Sequence, residues 1–421
     1  MDYLGGIYLA VIALAGSVGR ALAKGLPESY RVRLEAVAPP GLTQGWIWLH
    51  AASVGELLLA SGLLGKLCQE GRRVHITTGT QTGLELLKSR LPVWDNGAGR
   101  VTGGGFPLDD PQGLESFFET PPDAFIALET EIWPNLFKEL ESRDIPICIV
   151  NGRLTNRSME SAFKPWLRRA ASRLSLVVAR DGESAERFQS LGAPNVALGG
   201  NLKADMPPPP LLHDGWKKLR EGWSGAPIVV AGNTVEGEEE LVLKAWKKAR
   251  ECFSSLRLII APRQPKRFDS AAKLLDDEGA VYFRASGAWP PDLSQWRKTQ
   301  ILLLDTMGEL ASVYGLCHVA LVGGGWLWHG GHNPLEPLRW GVQTLIGPGH
   351  TNFEDLVMPL LETKRLRVIE AEDIAENIQR VLSLVDPNDQ TPNPVQMPEC
   401  LQGCLQRTWE YLAPFLKGFK R

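Results

Sequence analysis

The stretch that most constrains this chain is Met206-Pro207-Pro208-Pro209-Pro210. Proline has no backbone N–H and a locked φ, so four in a row continue neither helix nor sheet and make a semi-rigid spacer. One rhythm runs on both sides of it. A short apolar run leads into a polar or Gly-rich cluster, and a helical stretch follows. Ahead of the spacer the strand-like runs are 46–50, 74–78, 124–128, 145–150, 174–179 and 195–198, with helical patterns from 57 to about 70 and over 81–90. Beyond it they are 227–231, 256–261, 300–304, 318–322 and 342–346. Strands that alternate with helices predict parallel sheets covered on both faces. With 421 residues the chain can form two such domains, each with a full core. Residues 386–398 are polar and Pro-rich and read as a loop. Residues 400–419 read as a last helix, aromatic through Trp409, Tyr411, Phe415 and Phe419.

Charge narrows the function classes. A net charge of −3 exerts no general pull on nucleic acid, so no nucleic-acid partner is expected and any anion site must be local. The cysteines Cys68, Cys148, Cys252, Cys317, Cys400 and Cys404 form no CxxC pair, which suits a reducing, cytoplasmic setting. His50, His329, His332 and His350 do not show metal-ligand spacing, and no metal is expected. Residues 3–19 carry no charge but are short for a bilayer span, which takes about 20 apolar residues. Met1-Asp2 gives no basic start for a signal peptide, and Arg20, Lys24, Arg31 and Arg33 follow the run. The expectation is an apolar helix that lies on or marginally spans a membrane, with the body on the cytoplasmic side. A helix docked on the protein itself is the alternative.

Polar groups gather after the strand-like runs, where open α/β sheets bind ligands. Val322-Gly323-Gly324-Gly325-Trp326-Leu327-Trp328-His329-Gly330-Gly331-His332-Asn333-Pro334-Leu335-Glu336-Pro337 reads as strand, Gly-rich loop and helix start. Asn333 is the expected N-cap, Pro334 the first helical residue, and Glu336 completes a capping box. Such a start offers N–H groups to a phosphate, although a tight capped loop would look similar. Arg263 after Pro262, Lys203, and the run Met307, Gly308, Glu309 could join it as a phosphate and ribose site. Glu56 follows a strand at a helix start and reads as a general base or as a capping residue. Of Glu129 and Glu131, one could hold a catalytic group or a substrate hydroxyl while the other faces solvent.

The chain resembles the 3-deoxy-D-manno-oct-2-ulosonic acid (Kdo) transferases of lipopolysaccharide assembly. The resemblance rests on Ser53-Val54-Gly55-Glu56, Glu129-Thr130-Glu131-Ile132-Trp133-Pro134-Asn135, Asn151-Gly152-Arg153-Leu154, Gly200-Asn201-Leu202-Lys203, Glu236-Gly237-Glu238-Glu239, Ala261-Pro262-Arg263, Asp305-Thr306-Met307-Gly308-Glu309-Leu310 and Gly330-Gly331-His332-Asn333-Pro334-Leu335-Glu336-Pro337. These occur in the family order, up to about residue 353. Val235 and Gln264 stand where the family usually has His, Gly325 where Ser is common and Ala204 where Phe is common.

That resemblance implies the GT-B glycosyltransferase fold: α/β, two Rossmann-like domains facing a central cleft, here with an N-terminal apolar helix. The implied division is 1–35 for the membrane-associated helix, 36–206 for an acceptor domain, 207–210 for the linker, 211–395 for a CMP-sugar domain and 396–421 for a C-terminal helix. It implies inverting, metal-independent transfer of Kdo from CMP-Kdo to a lipid A precursor at the cytoplasmic face of the inner membrane, without a cofactor. Glu56 falls at the family's proton acceptor, and Glu129 and Lys203 at its transition-state-stabilising positions. Pro262, Arg263, Met307, Gly308, Glu309, Asn333, Pro334, Leu335 and Glu336 fall at its CMP-binding positions. Arg263 with a helix start would suit the phosphate, Glu336 or Glu309 the ribose hydroxyls, and Lys203 the sugar's carboxylate. A UDP-sugar enzyme of the same fold, or a silent membrane scaffold, are the other readings, and CMP-Kdo with a tetraacylated acceptor separates them.

Overall fold

A computed structural model describes residues 32–39, 45–97, 100–160, 164–206, 214–289, 293–386 and 395–418. The apolar run over 3–19 and the proline spacer lie outside the described residues. Among the described residues, no helix is long and apolar enough to cross a membrane. The chain forms two compact units: residues 1–206 with 403–421, and residues 207–402.

The first unit is built on a parallel sheet of β1 (Trp46–His50), β2 (Arg73–Thr78), β3 (Val101–Gly105), β4 (Ala124–Leu128), β5 (Ile147–Gly152), β6 (Leu176–Ala179) and β7 (Val196–Leu198). Their order is β3-β2-β1-β4-β5-β6-β7. The chain winds outward from β1 to β3, then returns to β4 on the other side of β1. Ile47 is paired with Val74 on one side and Ala124 on the other. This reversal is the topological switch point, where the connections leave in opposite directions and open a crevice at the strands' carboxyl ends. β1 is wholly buried because its alternating side chains feed two cores. Ile47 and Leu49 pack with Leu57, Leu63 and Leu67 of the Val54–Gln69 helix. Trp46 and Trp48 face the other way, with Trp48 stacked on Phe117 at 4.5 Å.

The second unit repeats the plan with β8 (Ile228–Thr234), β9 (Arg257–Pro262), β10 (Tyr282–Arg284), β11 (Ile301–Leu303), β12 (Val319–Val322), β13 (Gln343–Ile346) and β14 (Leu366–Val368). Their order is β10-β11-β9-β8-β12-β13-β14, again parallel, with the switch between β8 and β12. Val229, Ala231, Leu258, Ile260, Leu303 and Leu321 form the centre of its core.

The last helix, Cys404–Lys417, belongs to the first unit. Cys404, Leu412 and Leu416 are buried in that unit's core, and Trp409 and Phe415 pack against it. Asp205 accepts the Leu405 N–H at 2.6 Å, and Arg407 donates to the Gly199 carbonyl at 3.2 Å. Two of the four aromatics read in this segment are therefore used in packing; Tyr411 is exposed and Phe419 lies outside the described residues.

Candidate active site

On the first unit, the switch point carries two carboxylates from adjacent strands. Ser53 caps the Val54–Gln69 helix and accepts the Glu56 N–H at 3.4 Å. Glu56 reaches back in return. Its Oε2 accepts the Ala52 N–H at 2.6 Å and its Oε1 the Ser53 hydroxyl at 3.2 Å. This is a capping box with the carboxylate drawn one residue past the cap. The capping reading of Glu56 is thus seen in the structure, and the cap fixes the position of the carboxylate. Burial first, then the charge of Glu129, raises its pKa from 4.5 to about 7, against the Ala52 hydrogen bond that lowers it.

Glu129 has the opposite environment. It follows β4 with φ +58°, a conformation unusual for a side chain with a Cβ. Its N–H donates to the Val150 carbonyl at 2.9 Å, and the Lys203 ammonium donates to its Oε1 at 2.9 Å. Burial pushes its pKa up, but the Lys203 charge and hydrogen bond, with Arg180 and Arg153 beyond, outweigh that and leave it lowered. Asn201 places Lys203 by accepting its N–H at 3.0 Å at the start of the Leu202–Asp205 turn. Asn151, with φ +56° at the end of β5, holds the same turn through the Leu202 N–H at 2.9 Å. Glu131 does not simply face solvent. Its Oε2 lies 3.9 Å from Nε2 of the fully buried His50, whose Nδ1 is 3.1 Å from both Thr77 oxygens. Burial lowers the His50 pKa.

On the second unit, Pro262 ends β9 and Arg263 follows it, exposed, its backbone tied to the Thr234 carbonyl at 3.0 Å. Its charge acts on His332 and Glu336, so these three side chains share one field. Burial first, then Arg263, drives the His332 pKa down to about 4 and keeps the ring neutral. Burial raises the Glu336 pKa against Arg339, Arg263 and a hydrogen bond from Asn333. Asn333 Oδ1 accepts the Leu335 N–H at 3.1 Å. The helix expected after Asn333 is one short turn, Leu335–Leu338, with Pro334 as its cap residue. The Asn333 side chain still does the capping, but so short a turn carries little of a helix dipole.

The Gly-rich run likewise differs from an open phosphate loop. It packs against the backbone of the loop after β13: a Cβ on Gly325 would lie 3.1 Å from the Gly347 carbonyl, and one on Gly349 of that loop 2.2 Å from the Trp328 carbonyl. Gly349 donates to the Gly325 carbonyl at 2.9 Å. Met307 and Gly308 are exposed after β11, Gly308 with φ +89°. Glu309 is engaged: its Oε1 accepts the Trp216 indole N–H at 2.9 Å and its Oε2 the Thr306 hydroxyl. Of the two carboxylates considered for a ribose, Glu336 lies within the field of Arg263, and Glu309 is engaged by Trp216 and Thr306.

Residues 26–206 match the family model described as 3-deoxy-D-manno-octulosonic-acid transferase (kdotransferase). A 3-deoxy-D-manno-octulosonic acid transferase of Haemophilus influenzae is 35% identical over 407 residues, covering 93% of this chain and 91% of that protein. The chain belongs to the Kdo transferase family. A Bordetella pertussis transferase of the same name is 30% identical, covering 73% of this chain and 72% of its own. Solved structures show the fold. A putative UDP-N-acetylglucosamine 2-epimerase of Listeria monocytogenes matches with TM-score 0.59 at 12% identity, covering 90% of this chain and 98% of that one. A glycosyltransferase of Rickettsia africae matches with TM-score 0.55 at 11% identity, covering 90% and 99%. The two parallel-sheet α/β units thus resemble GT-B glycosyltransferases.

For this Kdo transferase, the structure adds residues that sequence reasoning passed over. Nothing in a strand-end His shows in sequence that the His50 ring lies 3.9 Å from the Glu131 carboxylate. Glu238 was one acid in a motif, yet it is fully buried against the Gly-rich run. Asp109 accepts the Asn135 and Leu136 N–H groups at 3.1 and 2.7 Å, and so fixes the strand-to-helix turn carrying Glu129 and Glu131. Among the described residues, no group of three or more His, Cys, Asp or Glu is placed to hold a metal ion.

Proposed function

We propose that this glycosyltransferase moves Kdo from CMP-Kdo to a lipid A precursor with inversion, without metal or cofactor, and that Glu56 is the general base. The observation that carries the reading is the contrast between Glu56, raised to about 7, and Glu129, lowered beside Lys203. Carboxylates whose surroundings push their pKa values apart divide acid–base work between them. Glu56 is the one able to take a proton near neutral pH.

In this reading the acceptor hydroxyl loses its proton to the Glu56 carboxylate as its oxygen bonds to the anomeric carbon. The bond from that carbon to the phosphate oxygen breaks, and its electron pair leaves with CMP. Attack opposite to the leaving phosphate inverts the centre. Arg263 supplies positive charge to the departing phosphate, and Asn333 and Glu336 beside it suit the nucleotide's hydroxyls. The Lys203–Glu129 pair offers a fixed ammonium to the sugar's carboxylate and to the charge of the transition state. Met307, Gly308 and Glu309 border the nucleotide, with Glu309 fixing its own loop. Positive charge at Arg263 and Lys203 takes the part that a metal ion plays in other transferases. The acceptor is a lipid, which accords with the inner membrane's cytoplasmic face and with the uncharged run over 3–19 as the contact. A form lacking residues 1–25 should leave membranes; full retention there would remove the N-terminus from this role.

The test is incubation with CMP-Kdo and a tetraacylated lipid A precursor. The reading predicts a product heavier by Kdo, made equally well in the presence of a chelator. Turnover of a UDP-sugar instead, or no turnover of either, would contradict it.

A further inference from the structure

Glu238 opens the Glu238–Ala249 helix directly after β8, on one side of the second sheet's switch point. It is 0% exposed. Its Oε2 accepts the N–H of Gly324 at 2.7 Å and of Val235 at 3.1 Å. Its Oε1 accepts the N–H of Trp326 at 3.0 Å and, more weakly, of Leu327 at 3.5 Å. Gly323 makes this approach possible, since a Cβ there would come 2.6 Å from Oε2. Backbone N–H groups of one loop that converge on a single negative group form an anion-binding concavity, the device by which Gly-rich loops hold phosphates. Here the protein's own carboxylate fills it.

We propose that Glu238 is a positioning residue of the donor site: as a built-in anion it sets the Gly-rich loop before any nucleotide arrives, and leaves the donor's phosphate to side chains, Arg263 first. The proposal rests on the reading that the donor nucleotide binds to the second unit. The loop so fixed is the one that carries the site. Gly331 donates to the Gly324 carbonyl at 2.8 Å, and Asn352 to the Gly330 carbonyl at 3.0 Å. His332 and Asn333 follow directly, and His332 lies so close to Gly324 that a Cβ there would come 2.7 Å from its ring. A loop held in its working shape without ligand spares the nucleotide the cost of ordering it. Glu239, next in sequence and also buried, has a different task, accepting from Thr234 at 3.0 Å and from Arg267 at 2.9 Å.

Amide hydrogen exchange on the full chain, with and without CMP, tests this. The Gly324 and Trp326 amides should be protected without nucleotide, and CMP should add little. Amides that are open without CMP and become protected with it would overturn the proposal, because the loop itself would then be the phosphate site. The variant E238Q keeps the shape but accepts through one oxygen only, so one of those N–H groups meets another donor. Those amides should exchange faster, and the Kd for CMP should rise about 10-fold or more. Unchanged exchange and affinity in a folded E238Q would overturn it as well. If E238Q does not fold, the wild-type exchange pattern decides alone. A folded E238A should recover CMP binding with added acetate, and a failure to recover counts against the built-in anion. Protected amides in a wild type that binds no CMP would overturn the donor reading and support only the filling of the loop.

Discussion

Glu56 and Glu129 are the same residue type on neighbouring strand ends, and their surroundings drive them apart. Glu56 has a half-buried place and a like charge nearby; Glu129 has an ammonium at 2.9 Å. This has a consequence for stability that is independent of catalysis. A carboxyl whose folded pKa is raised from 4.5 to about 7 favours the folded state below pH 4.5 and loses that contribution as pH rises through 7. Wild type should therefore lose stability relative to Glu56→Gln across that window, so that the variant melts higher above pH 7 than it does, relative to wild type, at pH 4.5. Paired thermal melts over pH check this. A gap between the two proteins that does not change with pH would mean that Glu56 titrates normally. The position of Glu56 was legible in the sequence, since the capping-box spacing from Ser53 to Glu56 fixes it at a helix start. The role of Glu131 was not, because the His50 ring that it faces is 81 residues away in sequence.

At the scale of elements, the strands before and after the spacer were legible wherever their side chains are apolar. β3, β10 and β14 were missed. β3 reads Val-Thr-Gly-Gly-Gly, a loop by composition, yet Gly105 is required there because a Cβ would lie 2.6 Å from the Val32 carbonyl. β10 and β14 are three-residue edge strands that each carry an Arg, so no unbroken apolar run marks them as Val-Ala-Leu marks β7. The Gly-rich run was located correctly, but its glycines and N–H groups serve neighbouring backbone and Glu238, which no local pattern reveals. The carboxylates that follow β11 and β12 should consequently behave differently. Arg263→Ala and Glu336→Ala should each weaken CMP binding, by about 10-fold for a lost charge-assisted contact. Glu309→Ala removes the acceptor of the Trp216 indole and should act mainly on stability, at a cost of about 1 kcal/mol. Calorimetry with CMP, paired with thermal melts, separates these. Equal loss of affinity in Glu56→Ala would contradict the placing of the nucleotide on the second unit.

For the whole molecule, the chain's end belongs with its beginning. Truncation after residue 402 should destabilise the first unit, because Leu412 and Leu416 would leave its core, at about 1.5–3 kcal/mol for each buried side chain. Limited proteolysis should then cut the first unit before the second; an unaltered first unit would show the helix to be dispensable. The proposed mechanism assigns the base to the first unit and the nucleotide to the second. The most direct test of the account is therefore the pH dependence of kcat for wild type, Glu56→Gln and Glu129→Gln, with CMP affinity measured alongside. Wild type should show an acidic limb near pH 7. Glu56→Gln should lose at least about 100-fold in kcat and lose that limb, with CMP affinity near that of wild type. A Glu56→Gln enzyme that turns over at close to the wild-type rate while Glu129→Gln is inactive would reverse the two roles and contradict the account.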